Sequence, residues 1–240
     1  MRNGFYVGAG AFHGYRQERG SWGKVRQDST SIGLYGGYAP AATGIRLALG
    51  SMYQSFDLET RRNSPNGAGI ASARGETSGR SLGLTGHAGW VFGITDALSV
   101  QPFAQYTRQW THLSGYQEHG APFLAKYDSQ NYTQNITRTG AEAQWDVLPH
   151  LSVECWLAWN HRFEDKGPAS SGSMNINIPG LQSFKYEGQK LKRNWGDTGV
   201  GLRWRMTDNT TLGMRLNFGI DNKNSGLPDM MSTMTLSVAF

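Results

Sequence analysis

Hydrophobic and polar residues alternate along most of this chain with a period of two. In TLGMRLNFGI (211–220), Leu212, Met214, Leu216, Phe218 and Ile220 share one face and Gly213, Arg215, Asn217 and Gly219 the other. Only an extended strand sends successive side chains to opposite sides in this way. TGVGLRWRM (198–206) sets Val200, Leu202, Trp204 and Met206 against Gly199, Gly201, Arg203 and Arg205. LSVECWLAWNHRF (151–163) sets Leu151, Val153, Cys155, Leu157 and Trp159 against Ser152, Glu154, Trp156, Ala158 and Asn160. RSLGLTGHAGWVF (80–92) sets Leu82, Leu84, Ala88, Trp90 and Phe92 against Ser81, Gly83, Thr85, His87 and Gly89. The carboxy-terminal MSTMTLSVAF repeats the pattern, with Met230, Met234, Leu236, Val238 and Phe240 in one stripe.

Reading the whole chain this way predicts about ten strands, each long enough for the roughly 9–11 residues that a tilted strand needs to cross a bilayer. They fall near 4–16, 28–39, 44–60, 77–92, 97–114, 131–147, 150–163, 194–206, 209–221 and 229–240. Few residues remain for helices.

The second face separates a membrane barrel from a soluble sandwich. A sandwich turns its polar face to bulk water and dresses it with Lys, Glu and Thr. Here that face carries repeated Gly beside Arg, Glu and Gln, which suits a cramped polar lumen. Arg46, Arg138, Arg203, Arg205 and Arg215 with Glu142, Asp146 and Glu154 form a predicted network of opposite charges inside it. That network could line an anion-preferring conduit, or fill the bore of a narrow barrel. The second reading is preferred, because buried charges need partners.

Connection lengths and aromatic positions agree. The links at 39–44, 93–97, 148–150 and 207–209 are short, while 17–27, 62–76, 115–130 and 164–193 are long and polar. Outer-membrane barrels pair brief periplasmic turns with extended outer loops. Tyr38, Trp90, Phe92, Trp145, Trp204 and Phe240 lie towards the short turns, and Tyr15, Trp110, Trp159, Phe163 and Phe218 towards the long loops. Two such girdles mark the two membrane interfaces. The fold class predicted is therefore all-β: a transmembrane antiparallel up-and-down β-barrel of about ten strands, or twelve if two escape the pattern, forming a single domain over residues 1–240.

Composition adds limits. Of 240 residues, 32 are Gly and 17% are charged, against a usual charged share of roughly 25%. A mean hydropathy of -0.50 speaks against helical membrane spans, whereas in a barrel the polar interior dilutes the average. The net charge of +5 allows an acidic partner, but the densest basic cluster, KLKRNW (190–195), makes no recognition helix, so no nucleic-acid partner is expected. Lys24, Arg26, Arg61, Arg62 and Arg74 are candidates for attraction to lipopolysaccharide phosphates. The single Cys155 rules out an internal disulfide framework. The alternating pattern starts at once, with no signal peptide ahead of it.

Catalytic motifs give little. GAGAFHG (8–14) reads as a strand with inward Gly rather than a nucleotide loop, and no GxSxG elbow occurs. His112 and His119 with Glu118, and His161 with Glu164 and Asp165, reach the outer rim. A His with an acidic partner there could activate water, as a ten-stranded outer-membrane protease or lipid hydrolase would require. No spacing fixes such a pair, and ordinary loop polarity accounts for the same residues. The expectation is no catalytic residue, no cofactor and no metal. An outer-membrane enzyme and a small pore or adhesin stand as alternatives.

The strings TSIGLYGGYAPAATGIRLALGSMYQSFDLETRR (30–62), SLGLTGHAGWVFGITDALSVQPFAQYT (81–107) and LSVECWLAWNHRF (151–163), with the final strand, resemble the β-domains of autotransporters, the type V secretion proteins. That resemblance implies an integral outer-membrane domain of Gram-negative bacteria that anchors the protein and serves export of an amino-terminal passenger absent from this chain. It implies contact with outer-membrane lipid and lipopolysaccharide. It also implies that the outer-membrane assembly machinery reads the last strand, a role falling on Met234, Leu236, Val238 and Phe240. The family's inward carboxylate falls on Glu154. The family usually has twelve strands and a pore-threading helix ahead of the barrel; here about ten strands are read, and no helix-forming segment precedes Gly4.

Overall fold

A computed structural model describes residues 4–20, 23–66, 69–175, 182–222 and 230–238, and the Pro65 side chain is not included. These residues hold fourteen strands and no helix. Ten of them make one antiparallel sheet: β1 (Phe5–Gly20), β2 (Gly23–Tyr38), β3 (Gly44–Asn66), β4 (Gly69–Gly93), β5 (Leu98–Leu113), β8 (Gln130–Leu148), β9 (Leu151–Arg162), β12 (Asn194–Arg205), β13 (Thr210–Ile220) and β14 (Met230–Val238). Each pairs with its predecessor in this order. The up-and-down all-β architecture and the count of ten are as the alternation predicts.

The second sheet is small. Strands β6 (Tyr116–Gln117), β7 (Ala125–Tyr127), β10 (Ser170–Met174) and β11 (Ser183–Tyr186) associate in the order β11-β10-β7-β6. They belong to the two segments that the sequence pattern leaves as long loops.

Side-chain alternation holds through the large sheet and gives it two unlike faces. Directly paired residues share a face: Leu34 and Ser51, Ser51 and Leu84, Val200 and Cys155, Val200 and Leu216. The face carrying Leu34, Leu84, Leu157, Val200 and Leu216 has no protein over it: Leu34 is 66% exposed, Leu157 61% and Leu216 40%. The opposite face holds the buried residues Ser29, Ser31, Phe56, Ser81, Phe103, Glu154, Trp156 and Asn160. The sheet curls towards that second face. Arg215 on β13 meets Glu142 on β8 at 3.5 Å, although β12 and β9 lie between them.

Two of the predicted loops are corrected. Residues 17–20 and 23–27 continue the β1–β2 ladder and residues 62–66 and 69–76 the β3–β4 ladder, with Arg19 opposite Lys24 and Arg61 opposite Arg74. Strand β4 runs for 25 residues, more than twice what a bilayer needs. The reason is physical: the outward face there carries Glu59, Arg61, Arg74 and Glu76 instead of an apolar stripe, so the hydrophobic period disappears while the backbone pairing persists.

Proline and register explain two local breaks. Between Gly89–Phe103 and Phe92–Val100 the β4–β5 ladder lapses beside Pro102, which has no N–H to donate. The β8–β9 register shifts between Asp146 and Leu148, and Leu148 pairs with Leu151 beside the two-residue turn. The sheet order ends at β1 on one side and β14 on the other, and no ladder joins those two strands among the described residues.

Candidate functional site: the concave face

The concave face is polar because one parity of β8, β9, β12 and β13 carries its charges inward. Glu154 lies at its centre, 2% exposed. One Glu154 oxygen meets Arg215 Nη2 at 2.5 Å, and the other is paired with Arg203. Arg215 also reaches Glu142 at 3.5 Å and lies over the Trp156 ring, 5.2 Å from its centroid. Arg203 donates to Gln144 Oε1 at 3.3 Å. Two guanidiniums thus share a carboxylate that has almost no water, the condition under which a buried charge is tolerable.

A second cluster lies nearer the outer end. Arg138 grips Asp197 through Nε at 3.0 Å and Nη2 at 2.7 Å, a two-pronged contact. Asn160 Nδ2 donates to the same carboxylate at 2.6 Å. Arg138 also covers the Phe103 ring at 4.8 Å, and His87 stacks on the ring at 5.4 Å.

Glycine creates the room. A Cβ on Gly199 would sit 2.2 Å from Trp156 Cζ2 and 2.2 Å from Leu216 O, so the indole can lie flat on β12 only because nothing projects there.

Of the eight predicted network residues, Glu142, Glu154, Arg203 and Arg215 come together in the first cluster. Asp146 adjoins it, accepting from Ser152 Oγ at 2.7 Å and Gln144 Nε2 at 3.0 Å. Arg138 belongs to the second cluster. Arg46 stands apart at the short-turn end, donating to Ala42 O at 2.7 Å and Ile45 O at 3.0 Å. Arg205 forms no ion pair among the described residues. Asp197 and Asn160 escaped the sequence reading as charge partners, although parity with Gly199 and Glu154 was available to find them. Met234, Leu236 and Val238 lie on the outward stripe of β14, at 69%, 64% and 49% exposure, and Phe240 lies outside the described residues.

Among the described residues, His112 and His161 are joined to amides and not to carboxylates. His112 Nδ1 is 2.9 Å from Asn131 Oδ1, and His161 Nδ1 is 2.7 Å from Asn194 Oδ1. Glu164 accepts instead from Asn135, through N at 2.9 Å and Nδ2 at 2.6 Å. Among the described residues no group of three or more His, Cys, Asp or Glu is arranged to hold a metal.

Glu118 has a structural partner too. It is 3% exposed and takes Arg62 Nε at 3.0 Å, Arg62 Nη2 at 2.6 Å and the Ala125 amide at 3.0 Å. That carboxylate holds the Arg62 pKa above its ordinary value, against the opposing effect of burial. The pair ties the small outer sheet to the inward side of the β3–β4 hairpin. Tyr116 stacks on Tyr127 at 4.7 Å, Tyr127 meets Phe184 edge-on at 5.4 Å, and a Cβ on Gly75 would strike Tyr116 at 2.3 Å. Burial raises the phenol pKa of both Tyr116 and Tyr127.

A family profile described as "Autotransporter beta-domain" matches residues 3–217. The chain is 26% identical over 127 residues to a protein called Lipase 1 from Photorhabdus luminescens; the match spans 52% of this chain and 19% of that protein. The crystal structure of the transport unit of the autotransporter AIDA-I from Escherichia coli is similar with a TM-score of 0.44 and 13% identity, over 98% of this chain and 89% of that one.

Proposed function

Because the chain belongs to the autotransporter β-domain family, we propose that it is an integral outer-membrane anchor and translocator, which serves the export of a passenger. The observation carrying this reading is the inversion of the two faces. Leu34, Leu84, Leu157, Val200 and Leu216 lie uncovered on the outside, while Glu154 is paired with Arg215 and Arg138 with Asp197 on the inside. Hydrocarbon is the solvent that makes the first face favourable and the second face tolerable.

A sheet in hydrocarbon cannot leave backbone donors and acceptors unpaired along its edges. On this reading β1 and β14 form the closing seam of the barrel. The outward Met234, Leu236 and Val238, with Phe240, are the stripe presented to the assembly machinery. On this reading the domain's work is anchoring and export, and its rim histidines His112 and His161 serve as hydrogen-bond partners of Asn131 and Asn194. Any hydrolytic activity, such as the name of the Photorhabdus relative denotes, would belong to a passenger.

Folding into detergent tests the reading. The 240-residue chain diluted from urea into micelles is expected to become strand-rich and to migrate faster on an unheated gel than after boiling. Folding in plain buffer, with no need for detergent, would refute it.

A further inference from the structure

The outer extension of the sheet carries a row of cations with no carboxylate in it. Arg19 on β1 lies opposite Lys24 on β2, Lys24 opposite Arg61 on β3, and Arg61 opposite Arg74 on β4. All four have the outward parity. Arg62, the inward neighbour of Arg61, is committed to Glu118 and takes no part. Adjacent strands stand about 4.8 Å apart, so four of them set a strip roughly 14 Å long.

Like charges directly opposite one another across strands destabilise a ladder, and here three such pairs follow in succession. Lys24 registers the crowding: its pKa is lowered, first by lost hydration and then by Arg26 and Arg19, with Glu59 opposing and Arg61 adding to the effect. A row that repels itself is stabilised by a partner bearing several negative charges at similar spacing.

Position decides which anion. The row lies eight residues above Ile32, Tyr53 and Leu82 on β2, β3 and β4, about 26 Å along the strand and roughly 20 Å above the apolar band for a strand tilted near 40°. Between row and band comes an acidic belt: Glu59 and Glu76 one row below, then Asp57 opposite Asp28. In that belt Arg26 meets Glu59 at 3.2 Å, and His13 Nδ1 lies 3.8 Å from Asp28. The carboxylates of this belt separate phosphates at the membrane surface from the row. Phosphates borne higher, on saccharide, would meet the cations. The row also faces away from the concave side, so a chain emerging through the bore would not touch it.

We propose that Arg19, Lys24, Arg61 and Arg74 form a strip that binds the phosphate groups on the saccharide of surrounding lipopolysaccharide. The proposal rests on the membrane reading above and gives its lipid partner a defined contact. The strip would hold neighbouring lipid against the long β1–β4 wall and set the height of the domain in the leaflet.

The test uses the 240-residue chain refolded in neutral micelles, with the variants K24Q/R61Q and R80Q; Arg80 lies on the same face just above Leu82, below the acidic belt. The probes are lipopolysaccharide with a phosphorylated core, the same core without phosphate, a truncated form with lipid A phosphates alone, and free inorganic triphosphate. The phosphorylated core is expected to bind tightest, and K24Q/R61Q to weaken it by about tenfold, as two lost charge-assisted contacts would, while R80Q leaves it unchanged. Equal binding of all three lipids, K24Q/R61Q indistinguishable from the parent chain, or free triphosphate binding as well as the phosphorylated core would each overturn the strip and leave the membrane reading intact. A chain that folds without detergent would refute the membrane reading, and the strip with it.

Discussion

Replacing Glu154 with Gln removes one negative charge from the centre of the concave face and changes almost nothing in shape. Glu154 is 2% exposed and receives both Arg203 and Arg215. A fully buried charge-assisted contact contributes about 1.5–3 kcal/mol, and two would be worth about twice that. Both guanidiniums are 45% exposed, however, so water screens them and each contact is to be roughly halved. The amide keeps one acceptor, and Arg215 keeps Glu142. The expected loss for Glu154→Gln is therefore about 2 kcal/mol. For a slope near 2 kcal/mol/M it lowers the urea midpoint by about 1 M. Unfolding from micelles, followed by tryptophan fluorescence, reads this directly, since Trp156 lies beneath Arg215. Arg205→Gln, at a position that forms no ion pair among the described residues, is the control and should stay within about 0.5 kcal/mol. Equal effects of the two substitutions would refute the reasoning, because then burial and pairing at Glu154 would contribute nothing beyond generic lumen polarity.

Two further outcomes are expected. Gly199→Ala should destabilise the chain by about 1–3 kcal/mol, since its Cβ would overlap Trp156 and the Leu216 carbonyl and force the sheet apart; an unchanged urea midpoint would contradict this. In the outer sheet, Tyr116 and Tyr127 have raised phenol pKa values because burial disfavours the phenolate. The stability they contribute is complete below the ordinary tyrosine pKa near 10 and is lost as pH rises through the raised folded-state value. Ultraviolet titration should therefore show a late-ionising fraction that shrinks in Tyr116→Phe/Tyr127→Phe; an unchanged late fraction in that variant would count against the packing.

The large sheet was readable in the sequence where one of its faces meets a solvent unlike water. Strands such as β9, β12 and β13 alternate so cleanly that their ends are predicted within a residue or two. Legibility fails where that contrast ends. Residues 17–20, 23–27, 62–66 and 69–76 are paired strand without an apolar outward stripe, so nothing in their hydrophobicity separates them from loop. The small outer sheet was equally hidden, because its packing depends on Tyr116, Tyr127 and Phe184, which come together from segments more than forty residues apart. At the concave face, parity identified Glu154, Arg203 and Arg215 but not their pairing, which depends on curl. It also admitted Arg46 and Arg205, which share the inward parity but form no ion pair among the described residues. Asp197 was missed because it precedes the clean alternation of 198–206, although its parity is that of Arg203.

The native Cys155 offers the most direct measurement. It is exposed on the outward face, opposite Val200 on one side and Ala143 on the other. A nitroxide attached before refolding into lipid bilayers reports its surroundings through collisions with oxygen, which concentrates in hydrocarbon, and with a water-soluble nickel complex, which does not enter it. The account predicts strong oxygen and negligible nickel accessibility at Cys155, with the reverse at a cysteine replacing Asn217 on the inward face in a Cys155→Ser background. A label at Cys155 that meets nickel as freely as one at Asn217 would contradict the claim that the apolar face is solvated by lipid.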